Sequence, residues 1–104
     1  MLKALKANPD HKLLPGADLV EQGLLDLAEN RVTEFSLLVL VAAPRLQSLG
    51  LEIPEKNWQQ PYEHRLYELL EARLGPGAHS HYNSLIRRIV SYAHALEREK
   101  SSSS

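Results

Sequence analysis

The sequence predicts an all-α fold, a compact bundle of four to five helices in a single domain. Three observations carry that expectation. Apolar residues recur at helical spacing in separate stretches, and prolines, glycines and capping residues punctuate the chain at the ends of those stretches. The one strand-like apolar run has no second strand to pair with. The expected organisation is an N-terminal arm over 1–14, a helical domain over 15–100 and a disordered serine tail over 101–104.

Met1 to Leu14 reads as a weakly helical segment followed by an Asn-Pro-Asp-His turn. The first firm helix is GADLVEQGLLDLAEN, in which Asp18 and Glu21 have the spacing of a capping box. Leu19, Val20, Leu24, Leu27 and Ala28 repeat on its inner side. Gly23 at the edge of that face costs about 1 kcal/mol against alanine. Close approach of a second helix is its plain rationale.

Thr33 is a good N-cap for EFSLLVLVAA. Periodicity fails there, because a continuous apolar run suits a buried strand as well as a buried helix. The cap and the helical flanks favour helix over 35–42. A helix apolar all round must be covered on all sides, so it takes a central place or a subunit interface. Pro44 ends this segment or opens a short turn, PRLQSLG, closed by Gly50 at the C′ position. The stretch LEIPEKNWQQP is a loop, with the Trp58 ring folded onto the domain.

Pro61 starts YEHRLYELLEARL, with Tyr62, Leu66, Leu69, Leu70 and Leu74 on one face. His64, Glu68 and Glu71 fall on the solvent side. Arg73 lies within the apolar stripe, where its stem packs and its head snorkels out, or where it is held inward to meet a carboxylate or a ligand. The final helix is expected from about Ser80, its N-cap, to Arg98. Tyr82, Leu85, Ile86, Ile89, Val90, Ala93 and Leu96 form its packing seam.

Composition narrows the function classes. At 104 residues the chain is long enough for one buried core, and with no cysteine it has no disulfide, thiolate metal site or cysteine nucleophile. A net charge of −1 argues against a protein that coats nucleic acid. The charge is uneven: Lys3, Lys6 and Lys12 make the start basic, whereas Asp18, Glu21, Asp26, Glu29 and Glu34 oppose Arg31 alone in the next segment. MLKALKANPDHK lacks the apolar core of a signal peptide, and the run Phe35 to Pro44 is about half a membrane span. A soluble, cytoplasmic protein without membrane contact is expected.

The richest polar stretch is PGAHSHYNSLIRRIV. His79 and His81 form a His-x-His pair without the third and fourth ligands that a metal site needs, so neither metal nor cofactor is expected. The GPGAHS turn feeds a helix N-terminus able to attract anions, yet it lacks P-loop spacing. Arg73 and His79 are separated by five residues. That spacing resembles the arginine–histidine motif of HEPN-type ribonucleases, and the resemblance implies that this pair acts on a scissile phosphate. Leu74 stands where that family usually has a polar residue, and Gly75-Pro76-Gly77 interrupts the helix between the two positions.

On the helical wheel the remaining cluster splits. Asn83, Arg87, His94 and Arg98 lie along one flank of the seam as an anion- or nucleic-acid-binding strip, and His81 and Arg88 lie along the other. Hydrolase arrangements are absent from the pattern. The functional expectation is a small non-enzymatic helical interaction protein whose partner is itself, as a homodimer, or another protein. The alternative is a nucleic-acid-associated or HEPN-like ribonuclease domain using Arg73 and His79 as its catalytic pair.

Overall fold

Thr33 sets the start of the helix on which the rest of the fold packs. Its hydroxyl accepts from the backbone N–H of Ser36 at 3.1 Å, and the Ser36 hydroxyl accepts from the backbone N–H of Thr33 at 2.8 Å. This reciprocal cap satisfies two donors that the helix itself leaves orphaned. In the computed structural model, which describes residues 14–103 and side chains as far as Glu99, the regular elements are helical throughout. They are α1 (Ala17–Ala28), α2 (Glu34–Ser48), α3 (Tyr62–Leu74), a 3-10 turn (Gly75–Gly77) and α4 (Ala78–Ser103). The N-terminal arm expected over 1–14 lies, Leu14 apart, outside the described residues.

The apolar run is therefore helix. Leu37, Leu38, Val39, Leu40 and Leu46 are buried, and Val41, Ala42 and Ala43 are half-covered. Four consecutive buried residues cover more than one face, as a central helix requires. Both α2 and α4 touch all the other helices. Pro44 neither stops α2 nor opens a new element, which corrects the expected break and removes the extra short helix it implied. Proline deprives the Leu40 carbonyl of its usual donor. Burial of Leu46, two residues beyond Pro44, holds the helix together past that gap. The end comes at a Schellman motif: Gly50 has φ +103, its N–H reaches the Gln47 carbonyl, and that of Leu51 reaches Leu46.

The same motif ends α1, with Asn30 at φ +62 in the left-handed position. Asn30 N–H bonds to Leu27 and Arg31 N–H to Asp26. At the other end, the expected Asp18–Glu21 capping box is absent. The N-cap is Gly16 at φ +81, and no side chain caps the helix. A Cβ at that position would lie 2.7 Å from the Arg88 carbonyl oxygen, so α4 approaches too closely for any residue but glycine. Gly23 does mark a close helix contact: its missing Cβ would collide with Val39 Cγ2 and lie 2.6 Å from the Phe35 carbonyl oxygen.

Helix α3 buries Leu66 and Leu70 and half-buries Tyr62 and Leu69, but Leu74 is 40% exposed, so the expected face ends one turn early. Trp58 packs part-buried against the core, and the Tyr62 hydroxyl donates to the Lys56 carbonyl at 3.0 Å, pinning the loop before α3.

Helix α4 departs from expectation at both ends and in its facing. It begins at Ala78, which leaves Ser80 inside the first turn rather than at the cap. It runs to Ser103, through serines expected to form a disordered tail. Its buried face holds Ala78, Leu85, Ile89, Tyr92, Ala93, Ala95 and Leu96. Val90, placed in the seam from sequence, is exposed. The helix is turned toward Tyr92 because α1 packs there, with Gly16 against the Tyr92 Cβ. Among the described residues no helix is long and apolar enough to cross a membrane.

Candidate functional site

Polar groups converge where the start of α2 meets the other three helices. Glu34, the first residue of α2, has a side chain only 12% exposed. Its Oε1 lies 3.2 Å from Arg73 Nη1 at the end of α3 and 3.4 Å from His81 Nε2 in the first turns of α4. A carboxylate in the first turn of a helix also faces the positive end of the helix dipole. The start of α2 is thus tied through one acid to the junction of α3 and α4, some forty residues further along the chain.

A second polar centre lines the same cleft as Glu34 and Arg73. Asp26 belongs to the last turn of α1 and is 2% exposed. Its Oδ1 accepts from Gln22 Nε2 and from Arg31 Nη2, each at 3.0 Å, and its Oδ2 accepts from the Thr33 hydroxyl at 2.6 Å. Burial by itself opposes ionisation of this carboxyl. The hydrogen bonds from Thr33, Arg31 and Gln22 outweigh that penalty, and hold it below the ordinary aspartate value. Asp26 fastens the end of α1 to the cap of α2, across the turn that contains Arg31.

Two open clefts flank Glu34 and Phe35. One, of about 420 Å³, runs past Asp26, Thr33 and Arg73; the other, of about 440 Å³, runs past Asp18, His81 and Arg88. The second is bridged by Arg88 Nη2, 3.5 Å from Asp18 Oδ2. A third, of about 490 Å³, lies between the C-terminal half of α2 and the Ile53–Pro54 loop, and is lined chiefly by aliphatic groups and prolines. Among the described residues no group of three or more histidine, aspartate or glutamate side chains is arranged to hold a metal.

The residues singled out from sequence separate in space. Arg73 does meet a carboxylate, but the histidine it joins through Glu34 is His81. His79 makes other contacts: its Nε2 lies 3.2 Å from Asn83 Nδ2, and its ring stands edge-on to Tyr67 with centroids 6.4 Å apart. Of the expected binding strip, Asn83 is therefore half-buried and turned toward His79, whereas Arg87, His94 and Arg98 are exposed. The other flank, His81 and Arg88, reaches across to carboxylates of α2 and α1. Sequence reasoning did not pick out Glu34 or Asp26 as junction residues. The sole advance signal was Thr33, whose capping role places both beside it.

Chemically, these groups are arranged to hold one another. Asp26 has both oxygens engaged and is kept ionised, which suits neither a general acid nor a free base. Glu34 is shared by two nitrogen groups of the chain. Comparison with protein-family models, with curated proteins and with solved structures finds no match for this chain.

Proposed function

We propose that this chain is a small, non-enzymatic helical interaction protein that associates with itself. The observation carrying this reading is that the two covered carboxylates at the clefts beside Glu34 are committed to groups of the chain itself: Asp26 to three donors, and Glu34 to Arg73 and His81. A catalytic acid or base must instead be within reach of a substrate proton and able to exchange it. What the surface offers is contact area. Leu25 on α1 and Val90 on α4 are 58% and 45% exposed on otherwise polar outer faces.

The cytoplasm is the compartment that goes with this reading. A ribonuclease using Arg73 and His79 has no comparable support, because the Glu34 carboxylate occupies the Arg73 guanidinium and would repel an incoming phosphate. Sedimentation velocity over low to high micromolar concentration tests the proposal. The expected result is a weight-average mass that rises with concentration toward twice that of the chain. A strict monomer across the range removes the self-association reading.

A further inference from the structure

Two exposed strips of this chain match each other in length, spacing and charge. Asp18, Gln22 and Leu25 of α1, with Glu29 at its C-cap, stand at i, i+4, i+7 and i+11, and all four are exposed. On α4, Arg87, Ser91, His94 and Arg98 repeat the same spacing and are likewise exposed. At 100° per residue each set falls within about 60° of arc, and each spans about 17 Å along its helix. The first strip is acidic at both ends; the second is basic at both ends.

The strips also adjoin. Arg88, next to Arg87, reaches Asp18 across the contact between α4 and α1, so the acidic strip begins where the basic one is bordered. On its far side the basic strip is bordered by Glu97, which is held by Arg45 of α2. Among the described residues Arg87, His94 and Arg98 have no ion-pair partner within the chain. Asp18 and Glu29 do pair, with Arg88 and Arg31. Both pairs are exposed, and a carboxylate accepts more than one donor, so these acids remain open to a second cation.

From this we infer that the acidic strip of α1 in one copy docks on the basic strip of α4 in a second copy, and that a two-fold axis makes the contact twice. The inference rests on the self-association reading and names its interface. An antiparallel crossing sets Asp18 against Arg98 and Glu29 against Arg87, and brings Leu25 opposite Ser91 and beside the exposed Val90. The one large apolar side chain of each strip region thereby loses water together with its counterpart. A second copy is the occupant because both halves of the complementary surface belong to this one chain. The two-fold arrangement satisfies both strips of both copies, whereas a head-to-tail contact leaves one strip open at each end.

Two charge-reversed variants test this, R87E/R98E and D18K/E29K, with circular dichroism and thermal unfolding confirming that each folds like the parent. Alone, each sets like charges against like, and its dimer dissociation constant is expected to rise at least tenfold. Mixed in equal amounts, the two are complementary at both contacts, and a heterodimer is expected to form with near-parental affinity. Raising the salt concentration should weaken the parental dimer, since exposed charge pairs are screened. If the parent dimerises but either variant does so unchanged, or if the mixture stays monomeric, this interface is wrong while self-association stands. If the parent is a monomer throughout, the underlying reading has failed. If R87E/R98E keeps its dimer yet loses binding to a DNA oligonucleotide that the parent holds, the basic strip faces nucleic acid and the inference is overturned.

Discussion

The Asp26 carboxylate is almost wholly buried, yet it is held ionised by Thr33, Arg31 and Gln22. Because its pKa in the folded chain lies below that in the unfolded one, the unfolded chain takes up the proton more readily. The stability it contributes is present above the unfolded value of about 3.9, and is lost as pH falls below that through the lower folded value. Asp26→Asn keeps the size but turns an amide NH2 toward donors. A loss of about 1–3 kcal/mol is expected at neutral pH, the range for leaving buried partners unsatisfied. Urea unfolding at about pH 7 and about pH 3 measures it: the difference between parent and variant should shrink in acid. An equal loss at both would show that ionisation of Asp26 is not what matters. In the sequence Thr33 was legible as a cap, since capping is local. Asp26 was not, because an aspartate on an amphipathic helix reads as solvent-facing until the following turn folds back over it.

Among the elements, α1 and α2 form the contact most exposed to a single methyl group. In an isolated helix Gly23→Ala would gain about 1 kcal/mol. Here the new Cβ would collide with Val39 Cγ2 and with the backbone carbonyl of Phe35, which cannot move without shifting α2. A net loss of about 1–3 kcal/mol is expected, the usual cost of overpacking. Gly77→Ala is the control, since nothing lies within 4 Å of a Cβ there. Thermal unfolding of the two variants checks the pair, and a Gly23→Ala protein as stable as the parent would contradict the contact. The existence of α1, α2, α3 and α4 was readable from period and punctuation. Their ends were less so. A plausible capping box lost to Gly16, where tertiary approach of α4 decided the conformation, and Pro44 failed to stop a helix anchored beyond it by Leu46. Both errors came from reading local rules where packing held the deciding energy.

For the whole molecule, long-range pairing escaped the sequence. The five-residue spacing pairs Arg73 with His79, but Glu34 is the acid on which Arg73 and His81 meet, from three different elements. Nothing in spacing encodes that meeting. The contact between α1 and α4 has the same character, and Tyr92 lies within it. Its side chain is fully buried, and burial, with the charge of Glu21 adding to it, pushes the phenol up to about 12. An unfolded tyrosine titrates near 10. Above that pH the unfolded chain gives up its proton first, so stability is full below about pH 10 and declines as pH rises through about 12. The decline attributable to this residue is on the order of 2–3 kcal/mol. Tyr92→Phe retains the packed ring and removes the ionisable group. Its unfolding free energy should fall less steeply than the parent's between about pH 10 and 12, and absorbance titration should show that the ionisation lost is one displaced above the ordinary tyrosine range. An unchanged alkaline limb would mean that the α1–α4 contact opens before Tyr92 ionises, and would locate the weakest seam of the molecule between those helices.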